Sequence, residues 1–263
     1  MEDVEELVKN LFLKDEYVTK TASLHEEESE WKIGKIVPLV DKFVHQIKKR
    51  ELSILDVGGG AGLILSAISA RIESNHGIKV NKYALDLSPH MLEIQRKRNP
   101  DIVKTLNEDI RKTSLGNKEI DLILLIDVLE HIPNPTEALK ELKRISRFSI
   151  LKVPLEDCLV LAVWNYLNMG RPRKYDRKTY GHINIYNFKR LKHEIETHAG
   201  KLLNCHFSPT IKSGRDTERS IKPASWLKDI IALPVYYCSP RLCSMIFGTS
   251  AFVLVKCYQD HEN

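Results

Sequence analysis

Between Ile54 and Gly62 the chain reads ILDVGGGAG: an apolar run ends in a carboxylate, Asp56, and glycine then fills four of the next six positions, Gly58, Gly59, Gly60 and Gly62. Glycine in such a turn supplies positive φ and lets a ligand approach the main chain at the start of a helix. Three further carboxylates follow: Asp86 in YALDLSPHML, Asp109 in NEDI and Asp127 in LIDVLEHI. The last stretch also carries Glu130 and His131, and GHINIY adds His182. Imidazole titrates near neutral pH, so His131 and His182 are the candidate bases for an acceptor hydroxyl, each with a structural role as its alternative. Glu130 is read as facing solvent, with a histidine partner or a metal as alternatives.

These residues need elements to carry them. GKIVPLVDKFVHQIKK places Ile36, Val40, Phe43, Val44 and Ile47 on one helical face, with Pro38 tolerable only near the first turn. LSILDV reads as a strand, the glycine turn follows, and LILSAISARI returns to helical spacing. VNKYALDL is a second strand, and SPHMLEIQRKR a helix capped by Ser88 with Pro89 first. IDLILLID suits a strand buried on both faces. NPTEALKELKRI follows, with Asn134 as cap and Glu137 closing a capping box.

Repeated strand–helix units predict an α/β fold: a Rossmann-like doubly wound sheet, mostly parallel with an antiparallel last strand and helices on both faces. Beyond Pro154 the rhythm changes to an apolar helix, LEDCLVLAVWNYLNMG, a charged loop, RPRKYDRKTYGHINIY, and a helix from the Asn187 cap to the Gly200 stop. The expected division is a helical cap at 1–49 and a main domain at 50–263, with lid segments at about 155–186 and 209–247. The latter is an insertion before the closing strand, where Trp226, Ile230 and Ile231 neighbour Lys222 and Lys228 in the pattern of an interfacial helix, with core packing as the alternative.

The chain has 263 residues, 43% hydrophobic, and a formal charge of +5, enough for a sizeable core and only mildly basic. Five cysteines form no Cys-x-x-Cys pair, so a reduced cytoplasmic setting is expected and no metal site. No apolar run reaches the roughly 18 residues of a spanning helix. The opening MEDVEELVKN is acidic rather than signal-like.

A dinucleotide turn would read G-x-G-x-x-G, yet Leu63 stands at its third glycine, and the anionic Asp56 is poorly placed for a pyrophosphate. A cofactor carrying an amine and a sulfonium suits that carboxylate. With Asp56, Gly58, Gly60 and Gly62 in place, the sequence resembles the class I S-adenosylmethionine-dependent methyltransferases. DVLEH resembles in particular the subgroup containing quinone-biosynthesis O-methyltransferases. The resemblance implies that Asp86 takes the ribose hydroxyls, that Leu87 and Met91 pack around the adenine, and that Asp109 and the Ile110 main chain meet its amino group. It also implies that Asp127 and Val128 lie along the methionine moiety.

Methyl transfer to an O or N atom of a small-molecule or lipid-like acceptor is then the expected activity, with peripheral membrane contact. A tRNA acceptor is the alternative suggested by the basic RPRKYDRK stretch with Tyr175, Tyr180 and Tyr186 around it. A non-catalytic cofactor-binding protein is the other.

Overall fold

The computed structural model describes residues 26–209 and 223–257, with side chains from residue 28 onward and, after the gap, from residue 230. Lys222, and the side chains of Trp226 and Lys228, lie outside what is described. At the centre runs β4 (Ile120–Ile126), buried at all its positions, as a continuous apolar strand covered on both faces must be. β1 (Glu51–Val57) flanks it on one side, followed by β2 (Lys79–Leu85) and β3 (Ile102–Leu106). On the other side lie β5 (Ser146–Leu155), β7 (Thr249–Lys256) and β6 (Lys201–Ser208), which gives the order β3-β2-β1-β4-β5-β7-β6. Neighbours are parallel except where β7 inserts antiparallel between β5 and β6. The expected Rossmann-like sheet is therefore present. Its strand order reverses between β1 and β4, the switch point at which open sheets of this kind accept ligands.

Alternate residues of each strand serve opposite layers. Ile54, Leu122, Leu124, Phe148 and Phe252 join α1 (Glu26–Gln46) and α2 (Leu63–His76) in one apolar cluster. Leu55, Ile123, Leu125, Leu151 and Val253 join α4 (Pro135–Ile145) and α7 (Phe188–His198) in the other. The remaining helices are α3 (Pro89–Arg98), α5 (Leu159–Leu167), α6 (Arg171–Tyr180), α8 (Pro223–Cys238) and α9 (Pro240–Phe247). Ser88 and Asn187 cap as expected, their side chains accepting from the N–H groups of Met91 at 3.3 Å and Arg190 at 2.9 Å.

Three local expectations are corrected. Pro38 lies inside α1 rather than in its first turn. A mid-helix proline costs ~3 kcal/mol, whereas each of the wholly buried Ile36, Leu39, Val40 and Phe43 stabilises by ~1.5–3 kcal/mol, so packing prevails. Asn134 has φ +56° and no side-chain cap bond, because a capping box needs an extended cap residue. RPRKYDRKTY is helix α6 rather than a loop: left-handed Gly170 and Gly181 bound it, and Pro172 sits in its first turn.

Phe43 stands edge-on to Phe148 with ring centroids 5.2 Å apart, joining α1 to the sheet. Phe43→Ala should cost about 3–5 kcal/mol in urea unfolding, and a loss below about 1 kcal/mol would show that α1 does not contribute to the core.

Candidate active site

The carboxyl edge of the sheet is tied together by main-chain bonds between successive strand ends. The N–H of Gly58 donates to Leu85 at 2.8 Å, that of Asp86 to Leu106 at 3.1 Å, and that of Asp127 to Lys152 at 3.0 Å. The turns carrying Asp56, Asp86, Asp109 and Asp127 thus lie along one edge. Gly58, Gly60 and Gly62 all have positive φ. A Cβ on Gly58 would come within 2.8 Å of Val128, and one on Gly59 within 2.0 Å of an Asp56 oxygen. The glycines therefore make room for neighbouring side chains of the edge as well as for a ligand.

Asp56 is 1% exposed and its Oδ2 has no hydrogen-bond partner among the described residues. Burial, with Asp86 adding repulsion, pushes its carboxyl up to about 7. Burial raises Asp86 to about 6, against the pull of the N–H groups of Ser88 and Leu87. Asn107 donates to the carbonyls of both Asp86, at 3.0 Å, and Leu87, at 2.8 Å, and so pins this loop. Met91 and Ile110 are buried beneath. Asp109 is gripped by Arg111, whose guanidinium reaches it at 2.8 Å and also donates to the Pro133 carbonyl.

Asp127 takes φ +57° and is held by Lys152 from β5 and by Lys32 from α1, the latter at 3.0 Å. Burial opposes its charge, but the two ammonium groups keep it well below the usual carboxylate range. Sequence patterning missed both lysines, since each sits at an otherwise apolar position of its element.

Glu130 contradicts its expected solvent exposure: it is 1% exposed, with Oε2 unpartnered. Burial, reinforced by Asp127, raises it to about 8. Packing explains the correction, because GHINIY lies across the DVLEH turn. The N–H groups of Ile183 and Asn184 both donate to the Glu130 carbonyl at 3.0 Å, and the Asn184 amide donates to Ile132 at 2.8 Å.

This docking brings His131 and His182 together with ring centroids 5.0 Å apart. His131 donates through Nδ1 to the Gly181 carbonyl at 3.0 Å, and burial lowers it to about 4. His182 meets both oxygens of Glu156, at 2.9 and 3.0 Å. Burial opposes its protonation, but Glu156 prevails and raises it. Glu156 was not among the expected site residues, as nothing in the sequence couples it to a histidine 26 positions away. Glu130, His131 and His182 each offer a ligand atom within 4.8 Å of the others, a grouping able to hold a divalent cation.

The edge fits the cofactor expected from the sequence. Two carboxylates with no cationic partner among the described residues, one with an orphaned oxygen, suit a cationic ligand with hydroxyl donors and repel a pyrophosphate.

Residues 28–198 match the family model described as a methyltransferase domain. The chain belongs to the methyltransferase-domain family. Among individual relatives, a ubiquinone biosynthesis O-methyltransferase of Dechloromonas aromatica is 29% identical over 107 residues. That match covers 40% of this chain and 43% of the relative. A sarcosine dimethylglycine methyltransferase of Galdieria sulphuraria shares the fold with a TM-score of 0.56 and 14% identity, over 87% of this chain and 83% of that one. An N-methyltransferase of Bradyrhizobium japonicum in complex with S-adenosyl-L-homocysteine does so with a TM-score of 0.51 and 11% identity, over 88% and 87%.

Asp56 and Asp86 are protonated in part at pH 6, and a bound cation favours their ionised forms. Cofactor binding should therefore release protons near pH 6 and tighten as pH rises to about 7. Calorimetry in buffers of different ionisation enthalpy measures the release, and none at pH 6 would mean that the ligand does not meet these carboxylates.

Proposed function

We propose that the protein transfers methyl from S-adenosylmethionine to an O or N atom of a small, partly apolar acceptor. One observation carries this reading: buried Asp56 and part-buried Asp86, at the ends of β1 and β2 and with no cationic partner among the described residues, share an edge with a pair of oriented histidines. S-Adenosylmethionine supplies a sulfonium methyl open to in-line attack by a nucleophile about 3 Å away. Asp56 and Asp86, with the Gly58–Gly62 turn, Leu87 and Met91, hold the cationic and ribose portions. Asp109 and Ile110 face the adenine, and Asp127 and Val128 the methionine end. The match to the O-methyltransferase and the bound product of the Bradyrhizobium enzyme support this assignment.

Of the two candidate bases, the reading favours His182. Its Nδ1–H is oriented by Glu156, which stabilises the imidazolium that forms when Nε2 accepts a proton from an acceptor hydroxyl. His131, kept neutral and fixed on Gly181, positions the acceptor. The segment 155–186, which contains Glu156, α5, α6 and His182, forms a lid anchored on the Glu130 carbonyl.

A second reading rests on the grouping of Glu130, His131 and His182: a divalent cation held there would polarise the acceptor oxygen directly. Chelator-treated protein would then lose activity and regain it with added cation.

Incubation with radiolabelled cofactor and host extract identifies the product class. A labelled small molecule is expected; label confined to RNA would indicate the tRNA alternative, and no label a binding protein. His182→Gln should lower the rate about 10²- to 10⁴-fold with cofactor affinity unchanged, and Glu156→Gln by a smaller factor. Full turnover by a folded His182→Gln protein would remove the base from this position.

A further inference from the structure

Among the described residues, the exposed large apolar side chains concentrate after β5. Helix α5, LVLAVWNYL, has no buried residue. Trp164, Tyr166 and Leu167 are 55%, 84% and 68% exposed, and Met169 just beyond is 84% exposed. Helix α9 packs against α5 and adds Met245, 65% exposed. A helix that leaves such large apolar side chains exposed among the described residues marks an interaction surface.

The neighbouring helix says what lies on it. α6 carries five cationic side chains against one carboxylate, and Lys174, Arg177 and Lys178 are all exposed. We propose that α5 and α6, with α9, dock the protein onto the surface of an anionic phospholipid bilayer. Trp164, Tyr166, Leu167 and Met169 enter the boundary between headgroups and acyl chains, where amphipathic rings are favoured, and the α6 cations meet lipid phosphates. No described helix is long and apolar enough to cross a membrane, so the contact is interfacial. A two-fold contact with a second copy would set one cationic α6 beside another, an arrangement that repulsion disfavours.

The face also borders the proposed acceptor site. α6 ends at Gly181, whose carbonyl receives the His131 bond, and His182 follows at once. Docking thus presents the lid to the lipid phase, where an apolar acceptor resides. This inference adds to the proposed methyl transfer the place where the acceptor is met, and only that last step rests on it.

Sedimentation of the full chain with vesicles tests docking without cofactor or turnover, so its failure would leave the methyl-transfer reading intact. Equimolar phosphatidylglycerol and phosphatidylcholine vesicles should capture the protein, while phosphatidylcholine alone should not, and capture should weaken as salt rises. W164S/Y166S/L167S and K174E/R177E/K178E should each reduce capture by about tenfold or more, with unchanged melting because all six positions are exposed. Should the apolar triple variant fail to fold, the charge-reversal variant decides. Absence of capture, or capture indifferent to a folded variant, overturns the proposal. So does a dimer in sedimentation velocity that W164S/Y166S/L167S dissociates, which would make a second copy the occupant.

Discussion

A carboxylate buried without a countercharge is expensive, and Asp56, at the mid-edge of the sheet, has none among the described residues. Its native value of about 7, against 3.8 for the ordinary side chain, costs stability as pH rises between the two, on the order of 4 kcal/mol once pH exceeds both. The strand carrying it is anchored by its neighbours: Ile54 and Leu55, just before Asp56, are fully buried on opposite faces of the sheet. The core on the two faces offsets what the edge loses, and a cationic ligand bound beside Asp56 would supply the missing partner.

The same edge handles its second acidic centre differently. Asp127 sits in a left-handed backbone conformation and receives two lysines, one from the β5 strand beside it and one from α1. Coulombic pairing fixes Asp127 where desolvation alone would protonate it. Because Lys32 comes from α1, the first described helix is joined to the site as well as to the core. One edge thus holds carboxylates poised to lose protons beside one already fixed as an anion, an electrostatic gradient along which a zwitterionic, sulfonium-bearing ligand has a single favourable direction.

Much of this was legible from residue types and spacing. The alternating strand–helix units, the glycine turn and the four carboxylates followed from apolar runs punctuated by turn residues, because those signals are local. What escaped needed contacts between distant positions. Glu130 reads as a surface residue until Ile183 and Asn184 fold over its carbonyl, and Glu156 has no visible link to His182 until GHINIY packs on DVLEH. The helical state of RPRKYDRKTY was hidden for another reason: it lacks an apolar stripe and depends on its flanking glycines and on α5.

The carboxyl edge beside the β1/β4 switch point should select a cationic nucleoside cofactor over a pyrophosphate-bearing one. Calorimetric titration of the purified protein with S-adenosylmethionine, then with NAD in its presence, separates the two. One S-adenosylmethionine site per chain is expected, weakened about tenfold or more by Asp86→Ala through loss of hydrogen bonds to a charged group, with no displacement by NAD. Saturable binding of NAD at the same site, or S-adenosylmethionine binding indifferent to Asp86→Ala, would contradict it.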